Sequence, residues 1–120
     1  MYRVLVVDDE KLEREGIRFL LSMEEGEWEI YEAANGKLAL NELRKHPVDL
    51  MLTDIKMPHM DGLEATRLIR SYSKEVPIVA LTAFAFESDK DRAIEAGCDD
   101  CLTKPVSQNA LEKVLDKYVK

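Results

Sequence analysis

Short apolar runs without polar alternation recur along this 120-residue chain and constrain its fold more than any other feature. The clearest are Val4–Val7, Leu50–Leu52 and Ile78–Leu81. Uniformly apolar strands are covered on both faces, which is typical of a parallel sheet. The sequence predicts five strands: Arg3–Val7, Trp28–Ala33, Asp49–Thr53, Ile78–Thr82 and Asp100–Thr103.

An amphipathic stretch with helical spacing follows each predicted strand. We expect helices over Lys11–Met23, Gly36–Lys45 and Ser107–Val119. Two more open with the capping-box patterns Asp61-Gly62-Leu63-Glu64 and Ser88-Asp89-Lys90-Asp91, and Gly97 is expected to end the second of these. The core-facing residues are predicted to be Leu12, Gly16, Phe19, Leu20 and Met23 in the first helix, Ala39, Leu40 and Leu43 in the second, and Leu111, Val114, Leu115 and Tyr118 in the last.

Five strand–helix repeats predict a single α/β domain over residues 1–120, with a doubly wound parallel sheet and right-handed crossovers. For five strands the flavodoxin-like order 2-1-3-4-5 is the most common solution, giving a (βα)5 fold. Its ligand crevice lies where the winding reverses, at the carboxyl ends of the first and third strands.

The charge balance excludes several classes of partner. Lys and Arg number 17 against 24 Asp and Glu, a formal net charge of −7. Such an acidic surface repels nucleic acid, and no basic amphipathic stretch is present to bind anionic lipid. The first apolar run leads directly into Asp8-Asp9-Glu10, the opposite of a secretion signal. We therefore expect a cytoplasmic protein that binds neither nucleic acid nor membrane.

Three acids are predicted to converge at the crevice. Asp8 and Asp9 follow the first strand, and Asp54 follows the third. Carboxylates a few ångströms apart do not all stay ionised unaided, and Mg²⁺ resolves this because it binds few protein oxygens and keeps waters and phosphate oxygens. The alternative is that the acids only cap helix N-termini, which does not explain their joint placement.

Two further side chains reach the same edge from the next strands. Thr82 ends the fourth strand, and Lys104 follows the fifth. Alone, the threonine would be a turn former and the lysine a solvated charge. Together with a metal they can clamp a phosphoryl group. No Ser or Cys here is paired with a His, since His46 precedes Pro47 and His59 follows Pro58, so Asp54 is the candidate nucleophile, forming an aspartyl phosphate.

Four motifs in this order resemble a bacterial response-regulator receiver domain of the CheY-like kind: VLVVDDE, DLMLTDIKMPHMDG, ALTA and CLTKPV. The resemblance implies a signalling switch that catalyses only its own phosphorylation and dephosphorylation. It implies that Asp54 accepts phosphate from a histidine kinase or a small phosphodonor, with a phosphotransfer protein or a second receiver as further partners. Phosphorylation would change the surface around the fourth helix, fifth strand and fifth helix.

The resemblance also assigns roles to individual residues. Asp8, Asp9, Asp54 and the backbone carbonyl of Lys56 would hold Mg²⁺, or Mn²⁺ as a substitute. Lys104 would contact the phosphoryl group and Thr82 would move toward it. The bond before Pro105 is usually cis in the family.

One position departs from the family pattern. A Tyr or Phe usually stands three residues before the lysine, where this chain has Cys101. A thiol cannot bury or expose a large ring, so the usual coupling of threonine and aromatic residue is in question here. Phe84 and Phe86 could take over part of that role, but the favoured interpretation is that they only pack the fourth helix onto the sheet. The Cys98-x-x-Cys101 spacing allows a redox or zinc interpretation, but two small buried apolar residues fit it better.

Three other functions are compatible with parts of the pattern. A phosphohydrolase resembling the haloacid dehalogenases would need a second Asp where Lys56 stands, and a flavin module would need a phosphate loop where Asp8-Asp9-Glu10 stands. A receiver-shaped interaction module that is never phosphorylated is the third.

The two halves of the chain differ in style. The first half resembles receivers of helix-turn-helix regulators and the second half resembles those of hybrid kinases. The chain is therefore recombined, engineered, or a natural receiver of mixed style.

Overall fold

A computed structural model of the chain describes residues 1–55, 62–83 and 87–120, with the backbone alone at 62, 72 and 87–89. Strands and helices alternate throughout. The strands are β1 Tyr2–Val7, β2 Trp28–Ala33, β3 Leu50–Asp54, β4 Ile78–Thr82 and β5 Asp100–Thr103. The helices are α1 Lys11–Ser22, α2 Gly36–Lys45, α3 Gly62–Tyr72, α4 Glu87–Ala96 and α5 Gln108–Tyr118.

The five strands form one sheet in the order β2-β1-β3-β4-β5, with every neighbouring pair parallel. The predicted doubly wound fold and strand order are confirmed. A hydrophobic cluster lies on each face of the sheet. Because side chains alternate between the faces, each central strand contributes residues to both clusters. One cluster packs against α2, α3 and α4, and the other against α1 and α5.

Helix ends follow the sequence signals where the structure describes them. Asn35 and Ser107 cap α2 and α5 by accepting from the backbone N–H of Leu38 and Ala110. Gly97 follows α4 with φ +115°, as expected of a helix stop. The capping boxes predicted at Asp61 and Ser88 involve side chains outside the described residues, and α4 is described from Glu87 onward.

The predicted core face of α1 is wrong except at Leu20, which is partly buried against a core cluster, and Gly16 is exposed. Leu12, Phe19 and Met23 are 79%, 64% and 63% exposed, whereas Ile17 and Leu21 are buried. Both faces of this helix carry apolar residues at helical spacing, so periodicity alone did not distinguish them. In α5 the prediction is confirmed for Leu111, Val114 and Leu115, which are buried, and Tyr118 packs against them. In α2, Ala39 and Leu40 are buried and Leu43 is partly buried.

Among the described residues, no helix is both long enough and apolar enough to cross a membrane.

Candidate functional site

The carboxyl ends of β1 and β3 bring three acids together. Asp8 and Asp9 directly follow β1, and Asp54 is the last residue of β3. Carboxylate oxygens of all three lie within 4.8 Å of one another. Because β1 and β3 are paired in register from Val4↔Leu50 to Val7↔Thr53, their ends meet at one edge of the sheet. The predicted convergence of these side chains is present in the structure.

The three acids differ in burial. Asp8 is 3% exposed and the Asp54 side chain is 15% exposed, whereas Asp9 is exposed. Asp8 Oδ1 accepts from the backbone N–H of Glu10 at 3.0 Å, which turns the chain from β1 into α1. The site therefore has two acids set into the protein and one facing outward.

Lys104 reaches between the two inner acids from the loop after β5. Its Nζ lies 2.7 Å from Asp8 Oδ2 and 3.6 Å from Asp54 Oδ1. Its backbone N–H donates to the carbonyl of Thr82 at 2.7 Å, and the Lys104–Pro105 peptide bond is cis. Thr82 is 7% exposed at the end of β4, where it pairs in register with Thr103. A hydroxyl and an ammonium thus share the edge with the acids.

Burial raises the pKa of the Asp54 carboxyl above its usual value of 3.8, and the charges of Asp8 and Asp9 raise it further, against the opposing effect of Lys104. Burial alone would lower the pKa of Lys104, but its hydrogen bond with Asp8 and the charge of Asp54 outweigh this and raise it. Lys104 therefore stays protonated at neutral pH, whereas burial makes the charged form of Asp54 less favourable than it is in water.

The donor set fits a hard divalent cation. Three carboxyl groups stand against one ammonium, so acidic groups outnumber the cation in this donor set. Carboxylate oxygens are the ligands that Mg²⁺ prefers, and it needs only a few of them. Asp8, Asp9 and Asp54 are the residues that would hold it.

Replacing Asp54 with asparagine should stabilise the fold by roughly 1 kcal/mol at pH 7 without metal, as is common when a functional site is relaxed. The raised pKa means that folding disfavours the charged carboxyl, and Lys104 keeps Asp8 as its partner in the variant. This cost is complete above the raised pKa and vanishes below the usual value of 3.8, so the gain should shrink as the pH falls toward 4.

Urea denaturation in EDTA at several pH values measures this gain. Asp116→Asn, on the exposed side of α5, is the matched control and should change stability by less than about 0.5 kcal/mol. A less stable Asp54→Asn protein would show that the attraction between Lys104 and Asp54 outweighs the burial of the acid.

Several predicted positions lie outside the described residues: Lys56, His59, Asp61, Phe84 and Phe86. Cys101 lies in β5, partly buried and packed against the cluster beneath α2, α3 and α4. Cys98 is buried, which raises the pKa of its thiol, and its Sγ lies 3.6 Å from Thr66 Oγ1. The packing interpretation therefore suits Cys98.

One residue beside the site was missed at the sequence level. Arg14 in the first turns of α1 donates from Nη1 to the backbone carbonyl of Asp8 at 2.7 Å. The available signal was an arginine in α1 five residues after Asp9, on the same helix face as Ile17. One partner, Asp8, directly follows β1 and the other, Glu32, lies in β2, so spacing alone could not identify them.

Comparison with known proteins places this geometry in a family. Residues 4–116 match the family model of the response regulator receiver domain. A two-component response regulator of Oryza sativa subsp. japonica is 42% identical over 120 residues, covering 98% of this chain and 94% of the relative. The sensor histidine kinase RcsC of Salmonella typhi is 39% identical over 117 residues, covering 96% of this chain, which spans only 12% of that kinase.

Solved structures agree with this result. The receiver domain of a Pseudomonas aeruginosa sensor histidine kinase, with magnesium coordinated in its active-site cleft, superposes with a TM-score of 0.87 at 31% identity, covering 98% of this chain and 96% of that one. The receiver domain of Ssk1 of Saccharomyces cerevisiae, crystallised with the phosphotransfer protein Ypd1, gives 0.86 at 30% identity, covering 98% and 88%.

Proposed function

Because this chain belongs to the response-regulator receiver domain family of two-component signalling, we propose that Asp54 is its phosphoacceptor. One observation carries the proposal: the Asp54 carboxylate lies within a cluster of three acids, with Lys104 Nζ 3.6 Å from its Oδ1. An aspartate in this position can act as a nucleophile, and the ammonium beside it can stabilise the oxygens of an incoming phosphoryl group.

In the proposed reaction a carboxylate oxygen of Asp54 attacks the phosphorus of a phosphohistidine or of acetyl phosphate. The new P–O bond forms as the donor's P–N or P–O bond breaks, and the bonding electron pair leaves with histidine or acetate. Bound Mg²⁺, or Mn²⁺ as a substitute, would supply neutralisation of phosphoryl charge. Asp8, Asp9 and Asp54 would hold the cation, with the Lys56 carbonyl as a further ligand, and Lys104 would contact a phosphoryl oxygen.

The phosphorylated state is proposed to act through Thr82 and Lys104. A phosphoryl group adds negative charge and acceptor oxygens, so it favours a state in which both side chains contact it. The surface around α4, β5 and α5 would change as a result, with Cys101 in place of the usual aromatic residue. The proposed output is this population shift, not turnover of an external substrate.

A histidine kinase or a phosphotransfer protein is the proposed donor, with a second receiver as a further partner. Support comes from the kinase relatives and from the related receiver crystallised with a phosphotransfer protein. Such donors receive their phosphoryl group from ATP, so we place the domain, residues 1–120, in the cytoplasm. The net charge of −7 supports the absence of nucleic-acid binding.

Intact mass after incubation with acetyl phosphate and Mg²⁺ tests the proposal. We expect one labile phosphoryl adduct on the wild type, which is absent in EDTA and absent in Asp54→Asn. Asp49→Asn, directly before the opposite end of β3, is the matched control and should label normally. No adduct on folded wild type, or an adduct that persists in Asp54→Asn, would contradict the proposal and favour an unphosphorylated interaction module.

A further inference from the structure

Arg14 connects α1 with the ends of two strands. Its Nη1 donates to the carbonyl oxygen of Asp8 at 2.7 Å, and its Nε donates to Glu32 Oε1 at 3.0 Å. The Arg14 side chain is only 16% exposed. A charge-assisted hydrogen bond to a backbone carbonyl in such a place constrains the backbone more than a solvated contact would.

The carbonyl that Arg14 contacts belongs to the peptide group between Asp8 and Asp9. That group is planar, so the carbonyl of the first residue and the N–H of the second turn together. The other polar groups of Asp8 are also engaged: its N–H donates to Ala33 at 3.0 Å, and its carboxylate accepts from Glu10 and Lys104. Arg14 thus completes the fixation of one acid and sets the direction in which the chain continues to Asp9.

Glu32 in turn orients Arg14. The two Glu32 oxygens bind separate arginines of α1: Oε1 accepts from Arg14, and Oε2 accepts from Arg18 Nη2 at 3.2 Å. Arg18 lies one helical turn after Arg14, further from the acids, and it also donates to the carbonyl of Ile30 at 3.2 Å. The two arginines therefore share a carboxylate and a helix face, but the contact with Asp8 belongs to Arg14.

We infer that Arg14 is a positioning residue for the cation site, which it serves by holding the Asp8–Asp9 peptide group. This rests on the proposed function, because it takes these acids as the Mg²⁺ site. Groups that orient metal ligands typically contribute about 10-fold to 100-fold in metal affinity. Simple electrostatics predicts the opposite sign, since removal of a cation near three carboxylates should strengthen the binding of Mg²⁺.

Isothermal titration with Mg²⁺ at pH 7 distinguishes the two effects. Arg14→Met keeps the aliphatic stem and removes the charge and the donors, and we expect Mg²⁺ binding at least about 10-fold weaker than in the wild type. Arg18→Met is the matched control, with the same charge change and the same Glu32 partner, and should bind within about two-fold of the wild type or more tightly. Arg14→Lys keeps the charge but lacks the planar fork that reaches both partners, and should be several-fold weaker.

Each result decides a specific point. Wild-type or tighter affinity in Arg14→Met overturns the inference, and so does equal weakening in both methionine variants, which would indicate a general loosening of α1. If Arg14→Met does not fold, Arg14→Lys decides alone, and wild-type affinity in it overturns the inference. Failure of the wild-type protein to bind Mg²⁺ contradicts the proposed function itself, whereas loss confined to the Arg14 variants supports both.

Discussion

Replacing Gly97 with alanine should lower the free energy of unfolding by about 3 kcal/mol, through backbone strain and lost hydrogen bonds. Gly97 has φ +115°, a conformation that residues with a Cβ rarely adopt. A Cβ built there would lie 2.7 Å from Cγ of Arg70, close to the backbone of α3 and not at a flexible tip. Both the loop and the arginine would have to move.

Arg70 has little freedom to move, because its guanidinium holds the chain after α3 and the loop before β5 together. It donates to the carbonyls of Gly97 and Val76 at 2.9 and 2.8 Å and to Asp99 Oδ2 at 2.8 Å. A third carbonyl, that of Ser73, accepts at 3.3 Å. Displacing this side chain leaves several polar groups without their partner.

Chemical denaturation measures the effect, with Gly16→Ala as the matched control. Gly16 lies inside α1 and a Cβ there would meet nothing within 4 Å, so the same substitution should stabilise the fold by roughly 0.5–1 kcal/mol. Opposite signs for the two variants are the expected result. A Gly97→Ala protein as stable as the wild type would show that the loop adopts another conformation.

Replacing Leu52 with alanine should cost about 3 kcal/mol, as for other fully buried leucines. Leu52 is 0% exposed in the central strand β3, packed in the cluster shared with α1 and α5. Leu12→Ala is the same chemical change on the outer face of α1, where the side chain is 79% exposed, and should shift stability by less than about 0.5 kcal/mol. Urea denaturation compares the two, and a comparable loss in Leu12→Ala would contradict the observed orientation of α1.

The sheet could be predicted because its signal is local. Runs such as Val4–Val7 and Ile78–Leu81 are apolar on both faces, and the structure buries all of their residues. The predicted strand bounds differ from the observed ones by at most one residue, as in β3, which extends to Asp54. Strand order followed from general rules of chain connection.

The orientation of α1 could not be predicted from spacing. Leu12, Phe19 and Met23 form one apolar stripe, while Ile17 and Leu21 form the other. The second faces the sheet, on the side where Arg14 is tied to Glu32 and Asp8. Those ties join residues far apart along the chain, and periodicity carries no information about them.

The acids of the site were predictable for the same reason as the sheet, since each lies at a strand end that topology brings to one edge. Their supporting contacts were not. Lys104 was expected near a phosphoryl group, but its 2.7 Å contact with Asp8 depends on the path of the loop after β5. The hydrogen bonds of Arg70 likewise depend on α3, the chain after α3 and the loop before β5 meeting in space.

The uneven burial of the strands has a consequence for how the domain opens. Every residue of β4 and most residues of β1 and β3 are buried, whereas none of β5 is. Edge strands with few buried side chains exchange their amide protons through local opening, and central strands require global unfolding. We therefore expect the amide protons of β5, which leads into Lys104, to exchange faster than those of β1 and β3, which lead into or end at Asp8 and Asp54. Local opening of β5 would then release the lysine of the site while the strands that position its acids stay folded.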